Sequence, residues 1–78
     1  MKTVQIRLAS IKDVQEFVEL VRQFEGDIDL SSGRYVVDAK SIMGIFSLDL
    51  MKPINLAAYS TDENCDKLIE NLKAFLVE

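Results

Sequence analysis

Residues 27–46 read DIDLSSGRYVVDAKSIMGIF. Asp27 to Ser31 alternates around Ile28 and Leu30. Ser31-Ser32-Gly33 is a turn signal, and Arg34 to Asp38 resumes the extended pattern, so the stretch predicts a β-hairpin. Ser41 to Asp49 has mixed character and predicts a short helix begun by Ser41, because a serine at that place can satisfy the free backbone N–H groups of a first turn. Strand, turn, strand, short helix is the arrangement around which the rest of the chain must be placed.

On the N-terminal side, Lys2 to Leu8 puts Val4, Ile6 and Leu8 on one side and Thr3, Gln5 and Arg7 on the other, the signature of a half-buried strand. Ser10-Ile-Lys-Asp13 is a capping-box-like helix start. Apolar residues follow at helical spacing at Ile11, Val14, Phe17, Val18, Val21 and Phe24, and Gly26 supplies the stop. On the C-terminal side Pro53 interrupts any helical continuation, and Ile54, Leu56 and Ala58 mark a further strand. Ser60-Thr-Asp-Glu63 reads as a capping box. The helix it opens carries Cys65, Leu68, Ile69, Leu72, Phe75 and Leu76 and is expected to run nearly to residue 78.

The order is β-α-β-β-α-β-α. A four-stranded antiparallel sheet with three helices over one face gives an α+β, open-faced two-layer β-sandwich, read as a single domain over residues 1–78. Ferredoxin-like folds share most of this order, so the pattern alone leaves the topology open.

Composition narrows the function. The formal charge of −4 and nine scattered basic residues disfavour nucleic-acid binding, which needs clustered Lys and Arg. Cys65 is alone, so neither an internal disulfide nor a Cys-based zinc site is available. The absence of a signal-like or membrane-spanning apolar run makes a cytoplasmic location the expectation.

Histidine is absent altogether, which removes Ser-His-Asp and Cys-His pairings and imidazole metal ligation. Asp27, Asp29 and Asp38 read as solvated charges around the hairpin. Asp62, Glu63 and Asp66 read as complements to a helix dipole. Gly44 lacks the context of a phosphate loop. The chain reads as neither an enzyme nor a metal or cofactor binder.

The apolar segment is the positive signal. Ile42, Met43, Ile45, Phe46, Leu48, Leu50 and Met51 are seven apolar residues within ten positions. A short helix cannot bury all of them, since its faces point in different directions. Ile45, Leu48 and Leu50 are expected in the core, and Ile42, Met43 and Phe46 on a docking surface. Ser41 is either a plain N-cap or a phosphoacceptor whose phosphate sits at the favourable end of the helix.

The run Ala39-Lys-Ser-Ile-Met-Gly44, with Ser47-Leu48 after it, resembles the stretch around the regulatory serine of the phosphocarrier HPr in its Gram-positive form. The element order is also that of the HPr family, and the hairpin Gly33 and the Asp62-Glu-Asn64 helix opening are similar to it. The resemblance implies a place in the phosphoenolpyruvate-dependent sugar phosphotransferase system, in which HPr takes a phosphoryl group from enzyme I on a histidine that opens the first helix. The matching positions here are Ser10 for the histidine, Lys12 for an arginine and Asp13 for a proline. A serine ester does not pass phosphate onward as a phosphoramidate does, so the resemblance implies a member not competent for relay.

It further implies that Ser41 is the phosphorylation site of an HPr kinase/phosphorylase. The modified protein would then serve a catabolite control transcription factor. Lys12, Lys40, Ile42, Met43 and Phe46 are the partner-binding positions, with Lys12 facing a phosphate at Ser41. The alternatives are a degenerate HPr relative that binds phosphotransferase components unproductively, and an ACT-like small-molecule-binding regulatory domain.

Overall fold

The computed structural model describes residues 1–77. The hairpin is present as β2 (Asp27–Ser32) and β3 (Tyr35–Asp38), with Ser32 opposite Tyr35 across a two-residue turn. Gly33 takes φ +60° while Arg34 keeps a negative φ, the pattern of a type II′ turn, whose twist matches that of the flanking strands. Around it lie β1 (Lys2–Ile6), α1 (Ile11–Val21), α2 (Ile42–Phe46), β4 (Ile54–Tyr59), α3 (Asp62–Asn71) and a 3₁₀ turn at Lys73–Phe75.

The four strands form one sheet in the order β1-β4-β2-β3, every neighbouring pair antiparallel. A ferredoxin-like or ACT-type arrangement places β1 inside the sheet. Here β1 is an edge strand bonded within the sheet to β4, which excludes that alternative.

Strand alternation sorts the two faces. Ile6, Ile28, Leu30, Ile54, Leu56 and Ala58 point into the core, while Gln5, Asn55 and Asp27 face solvent. The helices supply the other half of the core: Val14, Phe17, Val18 and Val21 from α1, Ile45 from α2, Cys65 and Leu68 from α3. Phe17 meets Phe75 edge to face at 6.1 Å between ring centroids, a favoured aromatic geometry. Lys2 reaches across from β1 to Asp66 on α3, and that hydrogen bond holds its ammonium pKa above the usual lysine value.

Several boundaries differ from the sequence reading: β1 stops at Ile6, short of Leu8, and α2 at Phe46, short of Asp49. The first helix ends at Val21, not at Gly26. The chain unwinds through Gln23 and Phe24, burying Phe24 against the core, and Gly26 turns it into β2 at φ +134°. The third helix is capped by Thr61, whose hydroxyl accepts from Asn64 N at 3.2 Å; Ser60 Oγ instead accepts from the Asn64 side chain.

That helix also stops at Asn71 instead of continuing to the chain end. The edge of β1 explains why. Arg7 N donates to Phe75 O at 2.8 Å, Val77 N donates to Gln5 O at 3.0 Å, and Leu76 bridges to Ile6. Satisfying these edge groups competes with further helix, and the extended conformation wins.

Candidate docking and phosphorylation site

Ser10 is the N-cap of α1. Asp13 N donates to its Oγ at 3.1 Å, and the Asp13 carboxylate accepts in turn from Ala9 N at 3.0 Å. The reciprocal bonds tie down the helix start and set a carboxylate beside the hydroxyl. That environment favours a cap over a phosphate, which would meet the negative charge of Asp13 at close range. Lys12 projects into solvent, its ammonium 4.0 Å from Glu16 one turn on.

Ser41 is the N-cap of α2. Its Oγ accepts from Gly44 N at 3.3 Å, its N–H donates to Asp38 O at 3.0 Å, and its carbonyl accepts from Ile45 N at 3.1 Å. The residue is exposed although its backbone is held at two points and its side chain at a third. Gly44 lets α2 lie close to the sheet: a Cβ there would stand 3.2 Å from Val37 Cβ. Ser47, at the other end, donates its hydroxyl to Gly44 O at 2.6 Å and so closes the short helix.

The apolar segment divides in an informative way. Ile45 and Leu48 are buried, and Ile42 and Leu50 are half-buried against the core. Met43 is 77% exposed, Phe46 42% and Met51 86%. Ile42 therefore spends part of its surface on the fold. Met51, which the sequence reading left out of the docking set, is the most open of the group. Ile11 is exposed as well, because its place in the first turn of α1 precedes the face that meets the sheet.

Lys40 has an internal role that its exposed sequence neighbourhood did not signal. Its ammonium donates to Phe24 O at 2.9 Å and Gly26 O at 3.1 Å. Those are carbonyls at the end of the α1 segment, where a cation complements unpaired acceptors. Lys40 thus straps the residue before Ser41 to the α1–β2 turn. Its own N–H donates to Asp38 Oδ1 at 2.9 Å.

Cys65 is buried, with its Sγ 3.5 Å from Ala58 O. Among the described residues no group of three or more Cys, Asp or Glu is disposed to hold a metal ion. No helix among them is long and apolar enough to cross a membrane.

Comparison with known proteins gives a consistent result. The model of the PTS-HPr family, described as the PTS HPr component phosphorylation site, matches residues 10–78. A comparison with curated proteins finds no match. Among solved structures, HPr-C-His from Thermoanaerobacter tengcongensis is 28% identical with a TM-score of 0.76, covering 95% of this chain and 93% of that one.

The phosphocarrier protein HPr from Bacillus anthracis str. Ames is 29% identical with a TM-score of 0.72, covering 97% and 94%. Crh, the Bacillus subtilis catabolite repression containing protein, is 26% identical with a TM-score of 0.64, covering 96% and 90%. Its structure is described as a swapped, intertwined dimer. The family match begins at the cap residue Ser10 and takes in Ser41, and the fold is similar over nearly the whole chain to the matched HPr structures; the chain belongs to the HPr family.

Proposed function

We propose that this chain is a regulatory or adaptor member of the HPr family. It docks partner proteins through the Ser41–Met51 segment, takes a phosphate on Ser41, and does not relay phosphate through Ser10. The observation that carries this reading is an exposed serine hydroxyl on a fixed backbone, directly beside the open side chains of Met43 and Phe46. A kinase would transfer the γ-phosphoryl group of ATP to Ser41 Oγ. The hydroxyl proton goes to the kinase's base and ADP leaves.

The phosphate adds about −1.5 to −2 charge beside the apolar patch. Lys40 is engaged by two carbonyls, so the basic partner of the phosphate is, by family resemblance, Lys12, a point charge that cannot bind it bidentately and that here sits beside Glu16. Further compensation falls to the partner, which by family resemblance is a catabolite control transcription factor. At Ser10 the chemistry runs the other way. A serine ester there is a stable dead end beside Asp13, so phosphotransferase components would bind without transfer.

Incubation with HPr kinase/phosphorylase and ATP, followed by mass spectrometry, tests the proposal. One phosphate is expected on the wild type and none on Ser41→Ala. An unmodified wild type refutes the Ser41 assignment. Incubation with enzyme I and phosphoenolpyruvate should leave the mass unchanged, and an acid-labile phosphate there refutes the relay-deficient reading. Tight binding to enzyme I without modification by the kinase would favour the degenerate-relative alternative.

A further inference from the structure

The two edges of the sheet are not equivalent. The outer edge of β1 is covered at Gln5–Arg7 by residues 75–77 of the same chain, while its Lys2–Val4 end is not. β3 is the other edge, with no strand beyond it among the described residues. Antiparallel ladders place their bonds on every second residue pair. Ala39 N donates to Ile28 O at 2.9 Å, so the bonded pairs of this ladder are Ile28–Ala39, Leu30–Val37 and Ser32–Tyr35. The backbone groups of Val36 and the N–H of Asp38 therefore point away from β2, while the Asp38 carbonyl is taken by Ser41 N at 3.0 Å. Tyr35 and Val36, on opposite faces of the same edge, are 66% and 65% exposed.

We infer that this edge pairs with the same edge of a second copy, joining two sheets into one of eight strands about a two-fold axis through Val36. The occupant follows from charge. In the register that places Val36 opposite Val36 of the second copy, Arg34 stands opposite Asp38 of that copy, and the symmetry repeats the pair. Val36 can then exchange two backbone bonds with its counterpart, and Tyr35 covers Val37 of the second copy. Shifting the register by two residues in either direction sets a charged residue opposite Val36 and removes this symmetric match. Asp38 Oδ1 already accepts from Lys40 N, which leaves Oδ2 for the guanidinium.

Because the two-fold contact uses the same β3 edge of both copies, the assembly closes at two copies and does not grow into a fibre. Only a four-residue strand is engaged. The dimer is accordingly weak and concentration-dependent.

Sedimentation equilibrium on the whole chain, from about 10 μM to about 1 mM, spans the affinity range of such an interface. The mass is expected to rise from 8.8 kDa toward twice that value. Val36→Pro removes an N–H that the β2 ladder does not use, and it should abolish the rise while keeping the fold. Arg34→Glu faces carboxylate with carboxylate and should weaken association by about tenfold or more. Asp38→Lys should do the same, and mixing these two charge variants should restore a dimer between them. A wild type that stays monomeric throughout overturns the inference. So does a dimer that survives both Val36→Pro and Arg34→Glu, or a Val36 amide whose hydrogen exchange does not slow as concentration rises.

Discussion

Replacing Gly26 by alanine probes the joint on which the Ser41 segment hangs. Gly26 sits at φ +134°, a conformation that side-chain-bearing residues rarely adopt, and its carbonyl is one of the two that hold Lys40. A Cβ built there stands 2.5 Å from Tyr59 O, 3.0 Å from Phe24 Cε2 and 3.3 Å from Ser60 Cβ. The Phe24 ring can swing aside; the Tyr59 carbonyl cannot, because it belongs to the β4 residue paired with Asp27.

Backbone strain at such a site costs about 1–3 kcal/mol, and displacing a strand carbonyl adds to it. Reduced freedom of the unfolded chain returns only about 0.4–1 kcal/mol. The expected net loss is therefore about 2–4 kcal/mol. That is a large part of the roughly 4–12 kcal/mol available to a chain of this length. With a urea m-value of about 1–1.5 kcal/mol/M, the unfolding midpoint should fall by about 1.3–4 M.

Gly33→Ala is the control. Gly33 takes φ +60° with nothing within 4 Å of a built Cβ, so it should lose only about 1–2 kcal/mol from backbone strain. Gly26→Ala shifting the midpoint by less than about 0.5 M, or by no more than Gly33→Ala, would refute the reasoning.

Four further outcomes are expected. Lys40→Met leaves two carbonyls without their cation and should cost about 1–3 kcal/mol in urea unfolding. Ser10→Ala removes the α1 cap and should lose about 1 kcal/mol, lowering the thermal midpoint by about 4–8 °C. Met43→Ser should leave stability within about 0.5 kcal/mol, because the side chain is open to solvent, while weakening any partner that uses the patch. The Lys2–Asp66 pair raises the Lys2 pKa, so its contribution is fully present below the ordinary value of 10.5 and is lost as pH rises through the raised folded-state value. Wild type and Lys2→Met should therefore differ slightly at pH 7 and converge in strongly alkaline solution, which a pH series of urea midpoints would test.

Much of the fold was legible because local periodicity and local caps carry it. Ile28 and Leu30 alternate, Gly33 marks the turn, and Ser10 and Ser41 stand where a first turn needs an acceptor. Ile45 and Leu48 were also recognisable as core, and both are buried, Ile45 on α2 and Leu48 just past its end. The misreadings share one cause: each depends on a partner far away in sequence. Leu72, Phe75 and Leu76 keep helical spacing, yet β1 some seventy residues earlier draws the chain into an extended edge. Lys40 looks like a surface charge until the α1–β2 turn comes within 3 Å of its ammonium. Ile42 resembles Met43 as a sequence letter, and only the position of the sheet separates the half-buried side chain from the open one.

By itself the sequence determined the order of elements, the capped starts of the first two helices and the loss of any imidazole chemistry. Hydrophobic period, cap residues and side-chain pKa classes are properties of residues and near neighbours. Tertiary structure alone decided where a strand edge is covered, which lysine is held by backbone carbonyls, and which of seven apolar residues face solvent. Those outcomes follow from the competition among distant groups for the same buried surface and the same backbone hydrogen bonds, and that competition exists only once the chain is folded.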